Sequence, residues 1–280
     1  MIIDAHVHLM PQKVREHRER FFAGEAAFEQ LYGSEKARLA DEDDIMRYLD
    51  DSGIDQAVVF GFPWQSHDLV RQNNEEIWEF HERHRDRVIP FAVLAPEGRD
   101  LVEAEAARVI KAGFRGIGEL AVYHGGWTLE GFETLDPVLK MAGDAQIPVV
   151  IHVNEPVGHE YPGKIDVDYP GLLRIIESNP DVDFILAHFG GGIFVYGLMP
   201  EIARILRRTY LDTAAGPYLY QAKVFEVVRS IMGPDKLLFG SDYPLLGLKR
   251  YLKELDRAGV DGEFRRGILG GNLQRLLQPR

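Results

Sequence analysis

The 280-residue chain contains no cysteine. Disulfides, thiolate nucleophiles and thiolate metal sites are therefore excluded together, and a bound metal would meet only nitrogen and oxygen donors. Zn, Mn, Fe, Co, Ni and Mg all stay open under that restriction. The chain also lacks a surplus of positive charge. Its 32 Lys and Arg against 44 Asp and Glu give a net charge of −12, which leaves no basic face for nucleic acid or anionic lipid. No apolar run approaches the roughly 20 residues that a membrane span needs. The opening MIIDAH has no basic-then-apolar signal pattern. These gaps predict a cytoplasmic protein with a small-molecule substrate and neither a nucleic-acid nor a membrane partner. Short repeats, low-complexity tracts and linkers are also missing. No G-x-x-x-x-G-K-[ST] phosphate loop occurs, and nothing points to a nucleotide cofactor.

What is present is a regular alternation. Short apolar runs cover Ile2–His6, Gln56–Phe62, Val88–Leu94, Gly116–Leu120, Pro148–Val153, Asp183–His188, Thr209–Ala214 and Leu237–Asp242. Runs such as PVVIHV and DFILAH are too uniformly apolar for half-exposed strands and suit parallel strands buried on both faces. Longer amphipathic segments with helix start and stop signals separate them. Asp41 precedes Glu42–Ser52 and Gly53 follows it; Asp100 opens a segment that Gly113 closes; Asp136–Pro137 reads as a cap with the first turn. Eight β-then-α units predict one (β/α)8 TIM barrel over residues 1–280, with an open doubly wound sheet as the alternative. Two connections are long, Met10–Ala40 and Asn154–Asp168. Both leave strand C-terminal ends, where barrel loops build active sites. Residues 10–40 read as a cap-like insertion over the mouth, or else as a surface excursion with no role.

Polar residues sit where these runs end. His6 and His8, two apart in a strand, share one face while Val7 takes the other. His152 ends PVVIHV, His188 ends DFILAH, Asp242 ends LLFGSD and Glu119 ends GFRGIGEL. In a barrel all of these converge on one mouth. Each alone could be a polar core residue with its own partner, since an unpaired buried polar group is costly. Together they predict a divalent-metal site with an open position. A cation there lowers the pKa of bound water to roughly 7 and polarises carbonyls. A neighbouring carboxylate can shuttle the proton, and Asp242 is the choice for that role.

The motifs HVH, IHVNEP, AHFGG and FGSDYP, with the closing LGGNLQRLL, resemble the amidohydrolase superfamily. The closer resemblance is to its amidohydrolase-2 branch of metal-dependent barrel hydrolases and non-oxidative decarboxylases. The resemblance implies that His6, His8, His152 and Asp242 are metal ligands. It makes His188 either a ligand of a second metal or an acid–base group, and the latter is the expectation. Many binuclear relatives carry a carbamylated lysine at the fourth strand, and this chain has none there. Glu119 then becomes a direct ligand or a bridge between two metals, with the alternative of an outer partner that orients a histidine. The expected cofactor is one or two divalent ions, Zn first and Mn or another first-row metal after it. A homo-oligomer such as a dimer is compatible with the resemblance.

Substrate contacts are expected from Trp64, which lines the mouth or plugs it, from His124, and from the fifth loop, with Asn154 and His159 beside Glu155, Tyr161 and Lys164. His17, His81 and His84 read as solvated. Three functions compete. The leading one is hydrolysis of an ester, lactone or amide by metal-activated water. The second is decarboxylation of an unsaturated or aromatic acid, with His188 moving a proton. That reaction wants a cation to clamp the carboxylate, and no arginine ends a strand, although Lys164 or the arginines of the first loop could substitute. The third is a barrel that binds metal or ligand without turnover.

Overall fold

The computed structural model describes residues 1–123 and 125–278. Eight parallel strands follow one another in chain order around one sheet. They are β1 (Ile3–His8), β2 (Gln56–Phe60), β3 (Val88–Ala92), β4 (Gly116–Leu120), β5 (Val149–Ile151), β6 (Phe184–Leu186), β7 (Thr209–Asp212) and β8 (Leu237–Leu238). Seven of the eight expected runs contain their strand, while β1 continues two residues past the expected Ile2–His6 to His8; all but β2 and β7 are buried along their whole length, as two-sided coverage requires. The ring closes because the chain beyond β8 runs beside β1. Ala5 N donates to Phe239 O (2.7 Å), Asp242 N to His6 O (3.0 Å) and His8 N to Tyr243 O (2.9 Å). The architecture is a (β/α)8 TIM barrel.

Helices lie between the strands in sequence. On Glu42–Ser52 the Asp41 carboxylate accepts the Asp44 N–H (2.7 Å), and Gly53 ends the helix in the left-handed region at φ 65°. The helix Arg99–Ala112 starts one residue before Asp100 and stops at Gly113 as expected. Asp136 is the first helical residue of Asp136–Asp144 and not its cap; Leu135 holds that position. A carboxylate in the first turn still faces the positive end of the helix dipole. Among the described residues, no helix is long and apolar enough to cross a membrane.

Residues 10–40 carry the short helices Gln12–Glu16 and Ala26–Tyr32. Phe28 is fully buried against Trp64 (centroids 4.8 Å) and Phe62 (5.9 Å). The Glu25 carboxylate accepts the backbone N–H groups of Gln65 (2.9 Å) and Ser66 (2.8 Å). The insertion is thus tied to the loop after β2, at the C-terminal end of the barrel.

Candidate metal centre

β1 builds the first half of the site. Its alternation turns Asp4, His6 and His8 inward together. The His6 ring gives Nδ1 to the Asp212 carboxylate (2.8 Å), and the His8 ring gives Nδ1 to Gly61 O (2.9 Å). Carbonyl and carboxylate oxygens only accept, so both Nδ1 atoms carry a proton, and in the neutral form of each ring the inward Nε2 is a lone pair. Those two Nε2 atoms lie 3.2 Å apart. Asp242 Oδ1 stands 3.3 Å from His8 Nε2 and 3.7 Å from His6 Nε2; Glu119 Oε2 is 3.9 and 3.7 Å from the same atoms. Neighbouring ligands of a first-row cation sit roughly 3.0–3.4 Å apart, given metal–ligand bonds near 2.1 Å. Two lone pairs and two carboxylate oxygens converging in a buried pocket repel one another unless a positive charge joins them. The donor set fits a divalent cation.

The second half stands just past β5 and β6. His152 gives Nε2 to Gly163 O (3.0 Å) and turns Nδ1 toward Glu119 Oε1 (3.0 Å). His188 gives Nδ1 to Ala214 O (3.0 Å) and presents Nε2 to His152 Nδ1 (3.1 Å) and Glu119 Oε1 (3.4 Å). Glu119 therefore spans the two halves, one oxygen in each. Two donor groups result, His6–His8–Glu119 and Glu119–His152–His188, and either could hold an ion. His188 begins a run of left-handed residues, His188 (φ 56°), Phe189, Gly190, Gly191 and Gly192. Left-handed backbone costs a non-glycine roughly 1–2 kcal/mol. Here the Asp212 carboxylate holds the turn by accepting the His188 N–H (3.0 Å), and glycine fills the tightest place. A Cβ on Gly191 would lie 2.3 Å from Asn154 O.

Charge follows geometry. Burial opposes a proton on His6, but Asp212, Glu119 and Asp242 outweigh it and lift the imidazole to about 10. Burial likewise opposes charge on His188, and Glu119 with Asp242 raises it to about 9. For Asp242 burial is overcome by the His8 hydrogen bond and the charges of His6 and His188, which lower it to about 2. Glu119 is held well below the usual carboxylate range, its burial outweighed by His6 and His152. The pocket thus demands positive charge from whatever source supplies it.

The remaining expected residues divide. Trp64 is fully buried, its N–H on Asn73 Oδ1 (2.9 Å) and its ring against Phe62 (5.0 Å), so it backs the mouth from behind. Asn154 spends both ends of its amide on Ile165, donating to O (2.7 Å) and accepting from N (2.8 Å). It staples the fifth loop shut. His159 is exposed beside Tyr161. His124 lies outside the described residues. His81 is half-buried with Nδ1 on Val88 O (2.7 Å), less solvated than expected. Two residues that matter were missed by the sequence reading. Asp212 is fully buried, ends β7 and ties His6 to His188; it obeys the same strand-end rule that found its neighbours. Asp4 precedes His6 by two and shares its face, accepting from Tyr48 Oη (2.8 Å) and Ser241 N (2.9 Å); burial, only partly offset by these bonds, raises it to about 6.

Known proteins place this centre in context. No curated protein matches the chain in sequence. Among solved structures it resembles 5-carboxyvanillate decarboxylase LigW from Sphingomonas paucimobilis, with a TM-score of 0.76, 15% identity, and coverage of 99% of this chain and 98% of that one. It resembles 2,6-dihydroxybenzoate decarboxylase from Rhizobium at a TM-score of 0.72, 14% identity and 99% and 98% coverage. A dihydroxybenzoic acid decarboxylase from Polaromonas sp. JS666, solved with bound manganese, aligns at a TM-score of 0.72, 17% identity and 99% and 96% coverage. Identities this low establish the shared fold alone. The amidohydrolase family model matches residues 3–278, nearly the whole chain, and so the chain belongs to the amidohydrolase superfamily, in its amidohydrolase-2 branch.

Proposed function

We propose that the chain is a metal-dependent, non-oxidative decarboxylase of an unsaturated or aromatic carboxylic acid. The reading is carried by its end-to-end likeness to decarboxylases of aromatic acids, on a barrel whose mouth gathers the donor set described above. Hydrolysis of an ester, lactone or amide, the leading expectation from sequence, is corrected by those neighbours, which are mainly decarboxylases. The physical reason is that imidazoles and carboxylates around a cation serve both reactions, so ligand types alone do not choose between them.

In this reading His6, His8, Asp242 and Glu119 Oε2 hold one divalent cation, Mn or Zn, and leave room for substrate. When bound, the cation supplies a fixed charge that orients a substrate oxygen and withdraws electron density as the carbon–carbon bond breaks. His188 moves the proton. Ala214 O pins its Nδ1–H, so Nε2 is the atom that delivers, and Glu119 Oε1 holds the proton there beforehand. Before transfer His152 Nδ1 accepts from the same His188 Nε2–H, because its own Nε2–H is held by Gly163 O. The overall change is RCOO⁻ + H⁺ → RH + CO2, and the proton ends on the carbon that lost the carboxylate. The insertion at residues 10–40 caps the mouth and excludes bulk water.

The test uses purified protein loaded with Mn or with Zn and incubated in D2O with 2,6-dihydroxybenzoate, 5-carboxyvanillate and simpler hydroxybenzoates. Release of CO2 with one deuteron at the vacated carbon supports the assignment. If none of the acids loses CO2 with either metal while a panel of esters and lactones is turned over, the assignment falls.

A further inference from the structure

A carboxylate substrate needs a partner, and Lys164, Arg18, Arg15 and Arg38 are otherwise engaged. Lys164 Nζ turns back onto Val157 O (3.3 Å), His159 O (3.4 Å) and Glu160 (3.2 Å). Arg18 binds the carbonyls of Tyr32, Ser34 and Ala37. Arg15 holds Met10 O (2.9 Å) and faces Asp41. Arg38 reaches Tyr243 Oη (3.4 Å), whose hydroxyl in turn donates to Asp44 O. Each of these side chains builds a loop.

Two phenols stand where a clamp belongs. Tyr32 ends the helix Ala26–Tyr32 of the insertion, and Tyr123 follows β4 four residues after Glu119. Both are half-buried, and the charges of Glu119 and Asp242 act on both hydroxyls. The rings are fixed from behind. Tyr123 stacks on Phe62 (5.6 Å, 8°) and tilts against His152 (5.4 Å), while Tyr32 meets Phe62 edge-on (5.9 Å) and Phe28 (5.2 Å). Neither hydroxyl has a hydrogen-bond partner among the described residues. We propose that Tyr32 and Tyr123 are specificity-determining residues, a two-phenol clamp that grips the carboxylate of a planar aromatic acid through uncharged donors. The proposal rests on the decarboxylase reading and deepens it.

Neutral donors suit the reaction. A guanidinium brings a full positive charge and a bidentate fork to a carboxylate, whereas a phenol brings one uncharged donor. The guanidinium would stabilise the ground-state carboxylate more than the transition state in which that charge is leaving, and would slow the step. Phenols hold the group and release it. The two tyrosine rings, backed by Phe62, also give the acid flat walls on which to lie.

The experiment measures binding of salicylate to Mn-loaded protein by calorimetry, with 2-hydroxybenzyl alcohol as the probe without a carboxylate. Wild type should bind salicylate. Tyr32→Phe and Tyr123→Phe should each weaken it by about 10–150-fold, the range of one hydrogen bond to a charged group, and the pair by more. Affinity for the alcohol should not move, and metal content and melting temperature should stay at wild-type values because the rings remain. Salicylate binding unchanged in both single variants overturns the clamp and leaves the decarboxylase reading standing. Equal weakening for the alcohol assigns the tyrosines to general packing and also overturns it. A wild type that binds no hydroxybenzoate overturns the decarboxylase reading and the clamp with it.

Discussion

The two halves of the centre are built alike and are charged differently. Each presents two imidazoles whose outer nitrogens are pinned by backbone or carboxylate oxygens, and each shares one oxygen of Glu119. On the β1 side the inner nitrogens are 3.2 Å apart, and on the β5–β6 side 3.1 Å. The difference is Asp242, which adds a full carboxylate to the first half at 3.3 Å from His8 and has no counterpart in the second among the described residues. One extra negative charge in a pocket that excludes water decides what counter-charge is needed. The first half calls for a divalent cation. The second is satisfied by one proton shared among His188, His152 and Glu119, and a proton held ready is what a carbon losing CO2 must receive.

The comparison breaks most completely with His6→Ala and His8→Ala together. Elemental mass spectrometry should find about one metal equivalent in wild type and essentially none in the double variant, with turnover at background. Two equivalents in wild type would make His152 and His188 ligands and erase the contrast between the halves. Next comes His188→Asn, which removes the proton donor of the proposed reaction and should lower kcat by about 10²–10⁴-fold while the metal equivalent stays. Loss of metal in that variant would move His188 into the metal-holding half. Asp242→Asn makes the first half resemble the second. Metal affinity should fall by more than about 100-fold, beyond the 10–100-fold cost of removing a group that merely orients a ligand. Competition against a chelator measures it, and saturating metal should restore part of the rate.

The barrel was legible because its strands are uniformly apolar and end in polar residues at the same chain polarity. His6, His8, Glu119, His152, His188 and Asp242 were found by that rule, and the structure brings them together. Asp212 satisfies the same rule at the end of TYLD and was passed over because the reading stopped at Ala214, two residues late. Asp4 shows the limit of reading histidines alone, since strand alternation places it on their face. The roles of loop residues were not legible. Asn154 and Lys164 look like substrate groups in NEPVGHEYPGK, yet both spend their polar atoms on their own loop. Such bonds depend on how fifteen or so residues fold back, which no periodicity encodes. The choice of reaction was hidden for a related reason. It depends on what lines the mouth, and Tyr32 reaches there from an insertion whose course the sequence leaves open.

The smallest effect separates the mouth from its backing and bears on Trp64. Its indole N–H donates to Asn73 Oδ1, which also accepts the Phe62 N–H (3.3 Å), while Asn73 Nδ2 binds Leu9 O (2.9 Å). Asn73 thereby joins the ends of β1 and β2 beneath the site. Trp64→Phe removes one donor but leaves Asn73 Oδ1 with Phe62, so the buried acceptor is not orphaned and the cost sits near the low end of about 1–3 kcal/mol. The smaller ring adds a void against Phe28 and Phe62. For a chain of this size each kcal/mol shifts Tm by about 2–4 °C. A melt lower by a few degrees, with KM and metal content unchanged, is the expected outcome. A rise in KM with no loss of stability would instead put the indole at the substrate.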